Sequence, residues 1–206
     1  MTGARADEPG RQEEGTMTMH ATVPRELSLV DATPETVGPF GRLVGVEVRP
    51  DIDIPYYPGR VVEGGDIGFR YRGQAALRTA QVLPGGQPEV SWLERHMYLT
   101  QLFVAISGGA YVMVLAPPNH DADGQLPDLD AAVALRLPPG SVLLLHSGTW
   151  HDFPIAVDQP VTFLLANSAE VVEALRTAGR PRELNEGDVQ KVSLPDRLGV
   201  TLRPLL

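Results

Sequence analysis

Cysteine is absent from the 206-residue chain, which excludes disulfides, thiolate nucleophiles and cysteine-ligated zinc together. Long apolar runs are missing as well. The most apolar windows, Leu99–Ile106 and Val142–Leu145, fall far short of the ~20 residues a membrane helix needs. The first twenty residues hold no apolar stretch of secretory type, so cytoplasm is the expected location. Positive charge is scarce: 17 Lys plus Arg stand against 26 Asp plus Glu, for a formal charge of -9 and a pI near 5.0. A field of that sign repels nucleic acid and anionic membranes, and no local basic patch offsets it. Neither is an expected partner.

What the chain holds in excess is turn formers. Glycine (21) and proline (19) make up about 19% of the residues, against a usual ~12%. Without a tripeptide repeat, this marks many short strands joined by turns. Residues 1–24 read as a disordered leader, polar and nearly free of side chains worth burying. Residues 25–168 carry most of about nine candidate strands. Among them are Leu27–Val30, Phe69–Arg72, Ala76–Leu83, Leu99–Ser107, Tyr111–Ala116, Ala132–Leu137, Val142–His146 and Val161–Ala166. Gly108-Gly109 reads as a hairpin turn, and Pro34–Val37 as one helical turn capped by Thr33. Residues 169–206 add a helix over Glu170–Thr177 and a final hairpin, Val189–Leu194 with Val200–Leu202. Short strands without a βαβ rhythm predict one all-β domain, a sandwich or barrel with one or two short helices.

Chemistry concentrates in two places. Glu94 and His96 are two apart, so an extended segment points both to one face. Gln101 has the opposite parity and joins them only if the chain bends between His96 and Leu99. The second place is His146-Ser-Gly-Thr-Trp-His151, where Gly148 permits a tight turn. Side-by-side strands would gather Glu94, His96, Gln101, His146 and His151 in one cavity. Such donors suit a divalent transition metal, and they equally suit metal-free acid–base work. His120 sits in a loop, Asn119–Gly124, whose spacing is not that of a calcium site; it reads as a surface histidine.

The order Glu94-x-His96-x4-Gln101-x6-Gly108, followed by Gly148-Thr-Trp-His151, resembles the two motifs of the cupin superfamily. Within it, Leu93-Glu-Arg-His96, Gln101 with Phe103, Leu126-Pro-Asp-Leu129 and His146-x3-Trp150-His151 resemble the ureidoglycolate lyase family. The resemblance implies a double-stranded β-helix barrel, or jelly roll, over 25–168, with 169–206 as an extension. It implies cleavage of the C–N bond of ureidoglycolate, or of a related 2-hydroxy-2-amido acid, to glyoxylate and urea. One divalent transition metal held by Glu94, His96, Gln101 and His151 is expected, with no nucleotide or organic cofactor.

In that reading His146 is the general base, because histidine as a residue type changes charge near neutral pH. Glu94, desolvated by Trp92 and Trp150, is a proton donor when no metal is bound and a ligand when one is; His151 is essential in either case. Arg72 holds the substrate carboxylate, Gln101 contacts the substrate, and Trp92 and Trp150 wall the pocket. Two further readings stand beside it. One is a metal-dependent cupin oxygenase, isomerase or epimerase; the other is a non-catalytic cupin that binds a small molecule. A homodimer is expected, with the apolar tail Val189–Leu206 covering the seam.

Overall fold

A computed structural model of the chain describes residues 22–52, 54–56, 58–85, 88–122 and 124–206. Nearly all of the expected leader, His20 included, lies outside the described residues. Strands are numbered β1–β17 in chain order. One sheet runs β15 (Leu184–Glu186), β16 (Val189–Ser193), β7 (Trp92–Arg95), β12 (Trp150–His151), β9 (Tyr111–Ala116), β10 (Val133–Leu137), β2 (Leu29–Asp31). β13 (Ile155–Ala156) also pairs with β9. A second sheet runs β3 (Gly41–Val44), β11 (Val142–Leu145), β8 (Leu102–Gly108), β14 (Val161–Ser168), β6 (Ala75–Val82). Two pairs complete the set: β1 (Val23–Leu27) with β17 (Val200–Pro204), and β4 (Pro50–Ile52) with β5 (Glu63–Gly64). The helices are α1 (Pro34–Val37), α2 (Ala169–Thr177) and α3 (Leu194–Leu198).

Alternation along each strand decides what lies between the sheets. Tyr111, Met113 and Leu115 of β9 point inward, with Leu135 and Leu137 of β10. They meet Phe103, Leu143, Leu145, Phe163 and Leu165 from the opposing sheet. The intervening residues Val112, Val114 and Ala116 face outward and form a second core with Trp150, Leu27, Leu194 and Leu202. Helix α2 closes a third cluster, Val171 and Ala174 against Leu99, Leu184 and Val189. The fold is an all-β barrel, as the strand pattern predicts, and cupin-like, as the motif resemblance implies.

Three local expectations fail. Gly108-Gly109 is no hairpin, since β8 and β9 belong to different sheets and the link crosses between them. Gly108 serves close approach instead: a Cβ there would lie 2.1 Å from the Pro160 carbonyl oxygen. Phe69–Arg72 is not a strand; Thr100 ties it down through the Arg70 N–H and carbonyl. The tail is not a hairpin either. Ser193 caps α3 with Pro195 in its first turn, so the chain turns away after β16 and β17 pairs in parallel with β1.

Candidate active site

Cross-strand register assembles the site. Lys191 of β16, Glu94 of β7, His151 of β12 and Leu115 of β9 stand directly opposite one another in a row. Residues opposed in a sheet share a face, and Leu115 belongs to the inner core, so the row lies inside the barrel. His96 follows one residue past β7 with the parity of Glu94. The turn before β12 is held there by the Gly148 N–H, which donates to the His96 carbonyl at 2.7 Å. Glu94, His96 and His151 are all buried.

The donor atoms converge. Glu94 Oε1 lies 3.8 Å from His96 Nε2 and 3.9 Å from His151 Nε2. The ligating atoms of the three residues all fall within 4.8 Å of one another. Each imidazole is fixed through its other nitrogen: His96 Nδ1 donates to the Asp188 carbonyl at 2.7 Å, and His151 Nδ1 to the Thr149 carbonyl at 3.0 Å. That assignment leaves a lone pair on each Nε2, and both Nε2 atoms are buried without a hydrogen-bond partner in the described structure. Two such lone pairs beside one carboxylate oxygen are the donor set of a metal-binding triad, with the backbone carbonyls as outer support. Glu94, His96 and His151 therefore lie close enough to hold one ion.

Charges set the protonation states. Burial lowers the His151 pKa to about 4, so its ring is neutral at pH 7. Burial alone would push the Glu94 carboxyl up, but the Lys191 ammonium, 2.9 Å from Oε2, and the His96 and His151 rings beside it together outweigh burial and hold the group below its ordinary value. Glu94 is thus a carboxylate and not the proton donor expected from desolvation alone. Burial raises Asp152, whose Oδ1 lies 3.9 Å from the same ammonium.

The other expected site residues divide. Gln101 is buried, with its Oε1 unpaired. The chain leaves β7 at His96 and crosses to the other sheet, which resets the alternation. Gln101 then shares the inward parity of Phe103, whose ring centroid is 6.1 Å from that of His151. Trp92 shares the parity of Glu94 and lines a cavity with Lys191. Trp150, by contrast, points to the outer core. Its Nε1 donates to Asn119 Oδ1, and the Arg95 guanidinium lies 4.4 Å above its ring. His146 is exposed, because it continues the outward parity of Leu144 past the end of β11. Arg72 is half-exposed, forked onto Glu170 and stacked 3.8 Å over Tyr98. The structure brings neither His146, Arg72 nor Trp150 to the triad.

Sequence reasoning missed two contributors, both from the extension. Gly187 and Asp188, with φ of 58° and 59°, make the two-residue turn between β15 and β16. Through that turn the Asp188 carbonyl meets His96, while its Oδ1 accepts the N–H groups of Met97 at 2.7 Å and Tyr98 at 3.0 Å. Lys191 is the other. It is the one lysine of the chain, a signal visible in the composition.

An all-β barrel with a buried two-histidine, one-carboxylate cluster between its sheets defines the class as cupin-like. The family model described as ureidoglycolate lyase matches residues 24–197, most of the chain, and the protein belongs to that family. Among solved structures, a dTDP sugar isomerase from Desulfovibrio desulfuricans G20 aligns over 63% of this chain and 82% of its own, at 18% identity and a TM-score of 0.34. No curated protein matches the chain. No helix among the described residues is long and apolar enough to cross a membrane.

Proposed function

We propose that the protein is a lyase that splits the carbinol C–N bond of ureidoglycolate, or of a related 2-hydroxy-2-amido acid. The observation that carries this reading is the convergence of Glu94, His96 and His151 inside a barrel of the ureidoglycolate lyase family. In the reaction the hydroxyl loses its proton, its oxygen closes to a carbonyl, and the C–N bond breaks. The departing nitrogen gains a proton. Glyoxylate and urea account for every atom.

Glu94 Oε1, His96 Nε2 and His151 Nε2 would hold a divalent transition ion, with Gln101 Oε1 as the neutral donor beside them. When bound, such an ion supplies Lewis acidity toward a substrate oxygen. The chain's own groups do the rest. Lys191 keeps Glu94 ionised and turned, with one oxygen on the ammonium and the other toward the histidines. Asp152, next to His151 and within reach of Lys191, takes the hydroxyl proton and returns one to the leaving nitrogen. The inner core walls, Phe103 and Leu115, keep bulk water from the histidines.

The test is direct. Purified protein, supplied with Mn, Co or Zn after chelator treatment, should release glyoxylate and urea in equal amounts from ureidoglycolate. Glu94→Ala should abolish the release. Equal release by wild type and Glu94→Ala would sink the reading.

We also propose that the chain acts as a homodimer. Within the tail Leu202 is buried against this chain's own outer core, while Leu205 and Leu206 stay exposed. Support comes from β6, an eight-residue edge strand whose Leu77 is 68% exposed. Light scattering at micromolar concentration should give twice the chain mass.

A further inference from the structure

Lys191 belongs to two compartments. Its ammonium faces Glu94 inside the barrel, and its side chain also lines an open cavity of about 490 Å³ between Trp92 and the segment that follows α2. Arg176, Arg180 and Arg182 line the same cavity, and no acidic residue does. In a chain of net charge -9, four cations without an acid around one cavity run against the overall field. Arg176 is tied to Glu173, and Arg182 to Glu186. Arg180 has no carboxylate partner among the described residues. Lys191 has three N–H donors, and Glu94 takes one at hydrogen-bond distance; Asp152, at 3.9 Å, lies beyond it.

We infer that this cavity is where the substrate's carboxylate docks, held by Arg180 and by the free N–H donors of Lys191, against the Trp92 indole. The ligand class is a small carboxylate with a 2-hydroxy group. The assignment rests on the lyase reading for that class, and on the cavity's charge for its place. Lys191 then joins docking to chemistry: the residue that receives the anion is the one that orients Glu94. It replaces Arg72, which Glu170 already occupies.

Nitrogen-15 NMR of the chelator-treated protein tests this, because the chain has two tryptophans and only Trp92 lines the cavity. Glycolate should shift the Trp92 indole signal, assigned with Trp92→Phe, and leave Trp150 unmoved. Glycolamide, the neutral isostere, should bind at least ~10-fold more weakly. Losing one charge-assisted contact predicts a ~10–100-fold weaker dissociation constant for Lys191→Met and roughly 3–10-fold for the exposed Arg180→Ala. Lys191→Arg should stay within about 5-fold of wild type. Equal binding of glycolate and glycolamide, or wild-type affinity in both cation-removing variants, overturns the inference. If Lys191→Met does not fold, Arg180→Ala alone decides. Glycolate binding as stated without turnover of ureidoglycolate refutes the lyase and leaves the cavity; turnover with glycolate binding unchanged in both cation-removing variants does the reverse.

Discussion

His151 gives the metal-free protein a specific dependence on acid. Its ring is buried with a folded pKa of about 4, against ~6.5 for an unfolded histidine. Between those values the unfolded chain binds a proton that the folded chain refuses, so stability rises with pH across the window. The contribution is present in full above pH ~6.5 and is lost as pH falls toward about 4. A difference of about 2.5 pH units at 1.36 kcal/mol each makes the loss about 3 kcal/mol, with no discount for solvent because the ring is buried. Glu94 also contributes less in acid, but that loss opens only near the ordinary carboxylate value and runs below it, so it meets the His151 window only at its acid end. His151→Gln removes the titration and keeps a polar side chain of similar length. Urea unfolding of chelator-treated wild type and variant, at half-unit steps from pH 7.5 to 4.5, measures the difference. At pH 7 the two should lie within about 1.5 kcal/mol of each other, the scale of one unpaired buried polar atom. The difference should then move in favour of the variant on acidification, by up to about 3 kcal/mol. Parallel profiles would refute a buried, neutral His151.

Three shorter predictions test the surroundings. Arg95→Ala strips hydrogen bonds from Gln190, Asn119 and the Gly124 carbonyl and the stacking on Trp150; it should cost about 2–4 kcal/mol by urea unfolding. Gly148→Ala should cost about 1–2 kcal/mol and lower turnover, because φ is +81° and the new Cβ would lie 2.3 Å from His120 Nδ1 on the turn that delivers His151. Glu94→Gln should weaken metal binding at least ~10-fold by equilibrium dialysis and turnover at least ~100-fold, since an amide lacks the charge that both the ion and Lys191 face.

Most strand positions were legible because burial on one face writes itself as alternation. Val142–Leu145 and Tyr111–Ala116 read directly as strands, and their inner and outer halves sort correctly by parity. Pairing was not legible. Gly108-Gly109 carries a strong hairpin signature, yet its glycines answer to Pro160 and Gln159, residues some fifty positions away. Parity places His146 on the side of Val142 and Leu144, and the inward packing of Leu143 and Leu145 shows that side to be the outer one. A histidine is the commonest general base, but geometry decides first whether a proton can be reached.

The site was half legible for a related reason. Glu94, His96 and His151 carry motif spacing, and the spacing survives because each lies on or beside a strand whose face is fixed. Lys191 and Asp188 carry no such spacing; they reach the triad only through the β15–β16 hairpin, which adds to the sheet edge at β7. Trp150 was misplaced because an indole beside a histidine suggests a pocket wall, whereas adjacent residues on a strand face opposite ways. The same rule has a constructive consequence. Every inward position of β7 is matched across β16, so Trp92 meets Ser193 and Glu94 meets Lys191. A chain ending before β16 would keep the three donors and lose the ammonium that opposes the desolvation of Glu94. Burial would then push Glu94 toward its neutral form, and a neutral carboxyl is a poor ligand. The extension is therefore part of the site's electrostatics, and the barrel alone does not complete it.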